Sequence, residues 1–140
     1  MKKLAIVCLF LMTTSTVTAN ACSGITIKGN SGKVYCMSKQ KMNWYSAYSW
    51  CQNQGMKLID IGDTCGSITS SCSELALSEE EQAHIIDNGG TVGSVWTGVF
   101  QNNYAVYCVN LDTGGRGSYY PNGSSGNGNQ AKDEYALCTH

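Results

Sequence analysis

His84 and His140 are the only two histidines in the chain, so a hydrolase built on a nucleophile, a histidine base and an orienting carboxylate must use one of them. His84 falls inside a helical stretch, and His140 is the last residue given, where ordering is weakest. No G-x-S-x-G elbow occurs. Asp112, Asp133 and Glu134 could supply paired carboxylates, but nothing in the sequence sets the ~5–10 Å separations that glycoside hydrolysis needs. Glu79, Glu80 and Glu81 invite a metal reading that helix capping explains more economically. The Gly-rich tract from Gly114 to Gly128 is no phosphate cradle, since neither Lys-Ser/Thr nor a helix pattern follows it. No catalytic residue, cofactor or metal site is expected.

The cysteines carry more information. Of the eight, Cys8 lies in a leader: Lys2 and Lys3, an apolar run from Leu4 to Met12, and Ala19-Asn20-Ala21 as an A-x-A cleavage site. The expected organisation is therefore a signal peptide over 1–21 and one domain over 22–140. That domain has 7 Lys+Arg against 10 Asp+Glu. Export to the cell surface, the periplasm or the medium favours disulfides. The short Met-Lys-Lys start looks bacterial, so the Asn122-Gly-Ser sequon is read as unmodified. No apolar run of the mature chain approaches the ~20 residues of a spanning helix, and no basic footprint suggests nucleic acid. The seven remaining cysteines form no C-x-x-C pairs, which argues against zinc-ribbon or thioredoxin-like chemistry. Cys65 and Cys72 enclose a short polar segment that a local bridge would pin.

These residues sit on short elements joined by many turns. Ser23 to Met37 reads as a hairpin turning at Gly29-Asn30-Ser31-Gly32. Asn43 to Gly55 is the clearest helix: Asn43 caps it, and Trp44, Ala47, Tyr48 and Cys51 recur at helical spacing, with Trp50 beside them. The aromatic stripe reads as core packing. Leu58, Ile59 and Ile61 suggest a short buried strand or an extended link. Ser78 and Glu81 form the capping box of a second helix, to Asn88. Alternation from Val95 to Phe100 and from Tyr104 to Leu111 predicts a strand pair about Gln101-Asn102-Asn103. Tyr119 and Tyr120 suggest a short strand, Gly114 to Gln130 a long irregular loop, and Tyr135 to Cys138 a closing strand. The fold class is α+β: two helices, short antiparallel strands and a long loop, stapled by disulfides.

The run from Lys41 to Ile61, with Trp44, Ala47, Cys51, Gly55, Leu58 and Ile59, resembles the first-helix signature of the C-type lectin-like domain family. Ser78-Glu79-Glu80-Glu81-Gln82 is similar to its second-helix opening, Val95-Trp96-Thr97-Gly98-Val99 to its W-x-G strand, and Tyr135-Ala136-Leu137-Cys138 to its last strand. The resemblance spans residues 33–138 and is greatest to small exported bacterial members. It implies a double-looped C-type lectin-like fold with neighbouring termini and a Cys51–Cys138 bridge. It also implies Cys22–Cys36 as an N-terminal hairpin bridge and Cys65–Cys72 as a local addition, leaving Cys108 without a partner. A different parity follows if Cys22 carries a lipid anchor, since Ala19-Asn20-Ala21-Cys22 partly fits a lipobox; Cys36 could then pair with Cys108.

Calcium-dependent sugar binders of the family use E-P-N or Q-P-D and W-N-D. Here the proline triplet is Tyr120-Pro121-Asn122 and no W-N-D exists. The resemblance and the loop together point to a non-catalytic binding module. It would recognise an extracellular protein or cell-surface ligand in adhesion through Arg116, Tyr119, Tyr120 and Asn122. The alternatives are a carbohydrate-binding lectin and a structural component of a surface assembly.

Overall fold

The computed structural model describes residues 21–67, 71–121 and 132–140. Its elements run β1 (Ile25–Lys28), β2 (Val34–Met42), α1 (Trp44–Gln52), β3 (Lys57–Leu58), α2 (Ile61–Cys65), a 3-10 turn at Ser73–Leu75, α3 (Glu79–Asp87), β4 (Ser94–Phe100), β5 (Val106–Asn110), β6 (Arg116–Tyr119) and β7 (Glu134–Thr139). Asn43 caps α1 by accepting the Ser46 amide, and Ser78 caps α3 by accepting that of Glu81.

The expected two helices with purely antiparallel short strands are overturned. Among the described residues there are three α-helices and one seven-stranded mixed sheet, ordered β1-β2-β7-β4-β5-β6, with β3 also paired to β7. The extra helix, α2, begins where Ile61 was read as strand or link. Asp60 accepts the amides of Gly62 and Asp63, which turns the chain into a single capped helical turn that still buries Ile61. The mixed character arises because β7 enters between β2 and β4. It runs antiparallel to β2 but parallel to β4, at Val95↔Tyr135 and Trp96↔Ala136.

β4 and β7 pair over only those two positions, and β3 fills the space beyond. Leu58 pairs with Cys138, the Ile59 amide donates to Leu137 O (3.1 Å), and the Gly98 amide donates to Ile59 O (2.8 Å). All six residues of β7 are buried, as expected of a strand covered on both faces. Tyr135 and Leu137 pack with Ile61, Leu75 and Ile85, from α2, the 3-10 turn and α3. Ala136 and Cys138 pack with Ala47 and Cys51 of α1 and with Trp96. The sheet is thus the middle layer, with α1 on one face and the other helices on the opposite face.

Three disulfides tie these layers together: Cys22–Cys36, Cys51–Cys138 and Cys65–Cys72. Cys108 is free and buried. With its sulfur bonded to Cys36, Cys22 has no thiol left for a thioether lipid anchor, and Cys36 is not available to Cys108. The leader assigned to 1–21 lies outside the described residues except for Ala21.

Candidate functional site

β6 and the start of the loop after it hold most of the residues expected to bind ligand. Arg116 is exposed, with its guanidinium 5.6 Å from the Tyr107 ring centre. Tyr119 is half-buried: its ring meets Trp96 edge-on at 6.5 Å, and the Lys132 ammonium lies 5.2 Å from its centre. Tyr120 is also half-buried, and Asn122 lies outside the described residues. Arg116 and Tyr119 are the first and last residues of β6, each against a ring, that of Tyr107 and that of Trp96. Their role is as much to anchor β6 as to present a surface.

The more exposed chemistry lies beside them, where sequence reasoning placed core. The rings of Tyr45, Tyr48 and Phe100 surround the Trp44 indole at centroid distances of 5.2, 5.3 and 5.3 Å. Tyr45 is 53% exposed, Tyr48 42% and Phe100 43%. The stripe divides along the helix: Ala47 and Cys51 enter the core and Trp44 and Trp50 pack against it as expected, while Tyr48 stays exposed. Spacing alone does not separate these two groups; the absence of any acidic or basic side chain in the first and last turns of α1 is the signal that could have.

The cluster is held from beneath. The Trp44 amide donates to Pro121 O (3.0 Å), and its indole Nε1 donates to Thr97 O (2.9 Å). Ser118 Oγ donates to Gln101 Oε1 (2.6 Å), linking β6 to the end of β4. Gln52 Nε2 donates to the Tyr48 hydroxyl (3.0 Å). The start of α1, the end of β4 and the segment from Ser118 to Pro121 therefore make one face. Large, rigid rings with hydroxyl and amide edges are a common means of recognition, because they offer contact area at low entropic cost.

Below this face, Glu134 at the start of β7 is 4% exposed. Burial pushes its carboxyl up, Lys41 and Lys132 oppose that, and Asp133 adds to it. Burial likewise pushes the Cys108 thiol well up, with Glu134 adding to the effect. A buried thiol held in its neutral form is a poor nucleophile.

His84, Glu81 and Asp112 make structural hydrogen bonds. His84 Nε2 bonds the Thr26 carbonyl at 2.8 Å and its Nδ1 lies 3.3 Å from Asn88 Nδ2, which fits the Nε2–H tautomer. Glu81 accepts the Lys28 amide (2.9 Å), so α3 caps the outer edge of β1 at two points. Asp112 accepts from Gln82 Nε2 (3.1 Å). Among the described residues no group of three or more His, Cys, Asp or Glu side chains is placed to hold a metal ion. His140 is exposed beside Cys22, Cys36 and Thr139, lining a hollow of about 230 Å³. Among the described residues no helix is long and apolar enough to cross a membrane. No protein-family model matches the chain, and no curated protein matches it.

Proposed function

We propose that the mature domain is an exported, non-catalytic binding module that recognises a protein or cell-surface ligand. Its recognition face comprises the aromatic cluster on α1 and β4 together with β6, Tyr120 and Pro121. The observation that carries this reading is the exposed ring cluster around Trp44, anchored by paired hydrogen bonds to Thr97 and Pro121. Exposed contiguous aromatic patches are uncommon on monomers that have no partner. Membership of the C-type lectin-like family stays part of the proposal, supported by the sequence resemblance over residues 33–138. Export by way of the leader is likewise part of it.

A sugar ligand is the second reading, favoured by the Tyr48 hydroxyl held in place by Gln52 beside the rings. Such a site would hold a pyranose by stacking and hydroxyl contacts without calcium. Binding of the mature protein to glycan and extracellular-protein arrays, with and without calcium, tests both readings. A ligand whose binding is lost in the Tyr48→Ala/Phe100→Ala double variant supports the face. Undiminished binding by that variant refutes it.

A further inference from the structure

A second surface lies between α1 and the open edge of β2; it shares Tyr45 with the aromatic face and otherwise consists of different residues. β1 pairs with β2 only from Val34 to Met37, while β2 continues to Met42. Among the described residues no strand pairs with Ser38–Met42 on the side away from β7. The chain leaves that edge because Ser23 crosses to Gln54, donating its amide and its hydroxyl to Oε1 at 2.8 Å each. Gly24 fits over the Met37 carbonyl and the Trp50 ring, where a Cβ would collide with both.

The open edge is one wall of two adjoining hollows of about 550 and 300 Å³, which share Gln40, Met42 and Trp50. α1 supplies the opposite wall through Tyr45 and Ser49. The edge is preformed: Ser38 Oγ accepts the Ala136 amide (2.9 Å) and donates to Gln40 O (2.8 Å), fixing the irregularity between Met37 and Lys41. An unpaired strand edge is completed by an extended chain, and adjoining hollows take its alternate side chains.

The charge at this groove is one-sided. Lys39 and Lys41 line it and no Asp or Glu does, on a mature domain with more carboxylates than cations. Lys39 is exposed, and the Lys41 ammonium also lies 5.7 Å from the Tyr135 ring centre. We infer that the Ser38–Met42 edge and the facing side of α1 form a docking groove for an extended acidic peptide segment of a protein partner, added to the sheet as a strand beside β2. Backbone pairing supplies the fit, and the two lysines select an acidic sequence over a basic one.

The test is an NMR titration of the isotopically labelled, disulfide-intact mature chain with a blocked synthetic peptide of roughly eight residues alternating Glu and Val, a length matched to a typical strand. The same peptide with Lys in place of Glu is the control. The expected result is saturable shifts at the amides of residues 38–42 and on the facing side of α1, absent with the Lys peptide. Lys39→Glu should weaken binding at least about fivefold, as reversal of a close charge does, and Tyr48→Ala/Phe100→Ala should leave it intact. Equal response to both peptides, shifts located elsewhere, no binding, or indifference to K39E would overturn the proposal. The lysines would then serve only to guard the edge against unwanted pairing.

Discussion

The backbone amide of Trp44 donates to the carbonyl of Pro121 at 3.0 Å, joining the first residue of α1 to the segment that follows β6. The Trp44 indole extends the same connection to β4 by donating to Thr97 O. One residue therefore ties the helix to Pro121 and to the sheet at the aromatic face. Trp44→Phe keeps a ring but leaves the Thr97 carbonyl without this donor. Thr97 is fully buried, so the change should cost about 1–3 kcal/mol, the usual penalty for an unmade bond at a buried group. Chemical denaturation of both proteins checks this.

Tyr48→Ala and Phe100→Ala remove exposed rings and leave the core intact. Each should change stability by less than about 1 kcal/mol while weakening ligand capture. Denaturation and binding measured on the same samples separate the two effects.

The disulfides should rank by the chain they enclose. Cys51–Cys138 spans 87 residues and Cys65–Cys72 spans 7. Chain-entropy arguments give about 4.6 kcal/mol for the first and about 2.4 kcal/mol for the second. Replacing each pair by Ala and measuring unfolding by denaturant should reproduce that order.

Two glutamates should give opposite pH dependences. Burial raises the Glu74 carboxyl, but hydrogen bonds from the Ser31 hydroxyl and amide and from Tyr35, with Lys33 nearby, hold it below its ordinary value of 4.5. Its contribution is present above that value and is lost as pH falls through the folded-state pKa. Glu134 is raised from 4.5 by burial, so its neutral form suits the fold. Stability from this residue is greatest below 4.5 and declines as pH rises through its folded-state pKa. Glu134→Gln should therefore be more stable than the parent at neutral pH and converge with it in acid, whereas Glu74→Gln should lose stability at neutral pH. Thermal unfolding across pH 3 to about 8 tests both signs.

Gly114 has φ of +74°, and a Cβ there would strike the Cys72 carbonyl. That carbonyl belongs to the bridged residue whose own amide donates to Gly114 O (2.7 Å). Gly114→Ala should cost about 2 kcal/mol or more, combining left-handed strain with a backbone clash. Calorimetry of the variant is sufficient to check it.

Local rules in the sequence account for much of this structure. Asn43 and Ser78 announce α1 and α3 by capping, and alternation announces β4 and β5. α2 was hidden because a single turn leaves no periodicity: only the Asp60 cap distinguishes it from the extended link that Ile59 and Ile61 suggest. The parallel β4–β7 pair was hidden because it depends on where a distant strand inserts, which no local pattern encodes. At the candidate face, Arg116, Tyr119 and Tyr120 were legible from composition. The grouping of Tyr45, Tyr48 and Phe100 around Trp44 was not: helical spacing does not say whether the Tyr48 face meets core or solvent, and no local pattern brings Phe100, at the end of β4, beside α1. Glu134 was visible as a carboxylate, but its burial follows from the central place of β7 in the sheet.

The central claim is recognition through the aromatic face. Its most direct test is the affinity for an array-identified ligand of the parent and of Tyr48→Ala/Phe100→Ala, each verified as folded with three disulfides. The account predicts saturable binding by the parent and a loss of at least about tenfold in the variant, as removal of central aromatic anchors entails. Equal affinity of the two proteins for the ligand would contradict it.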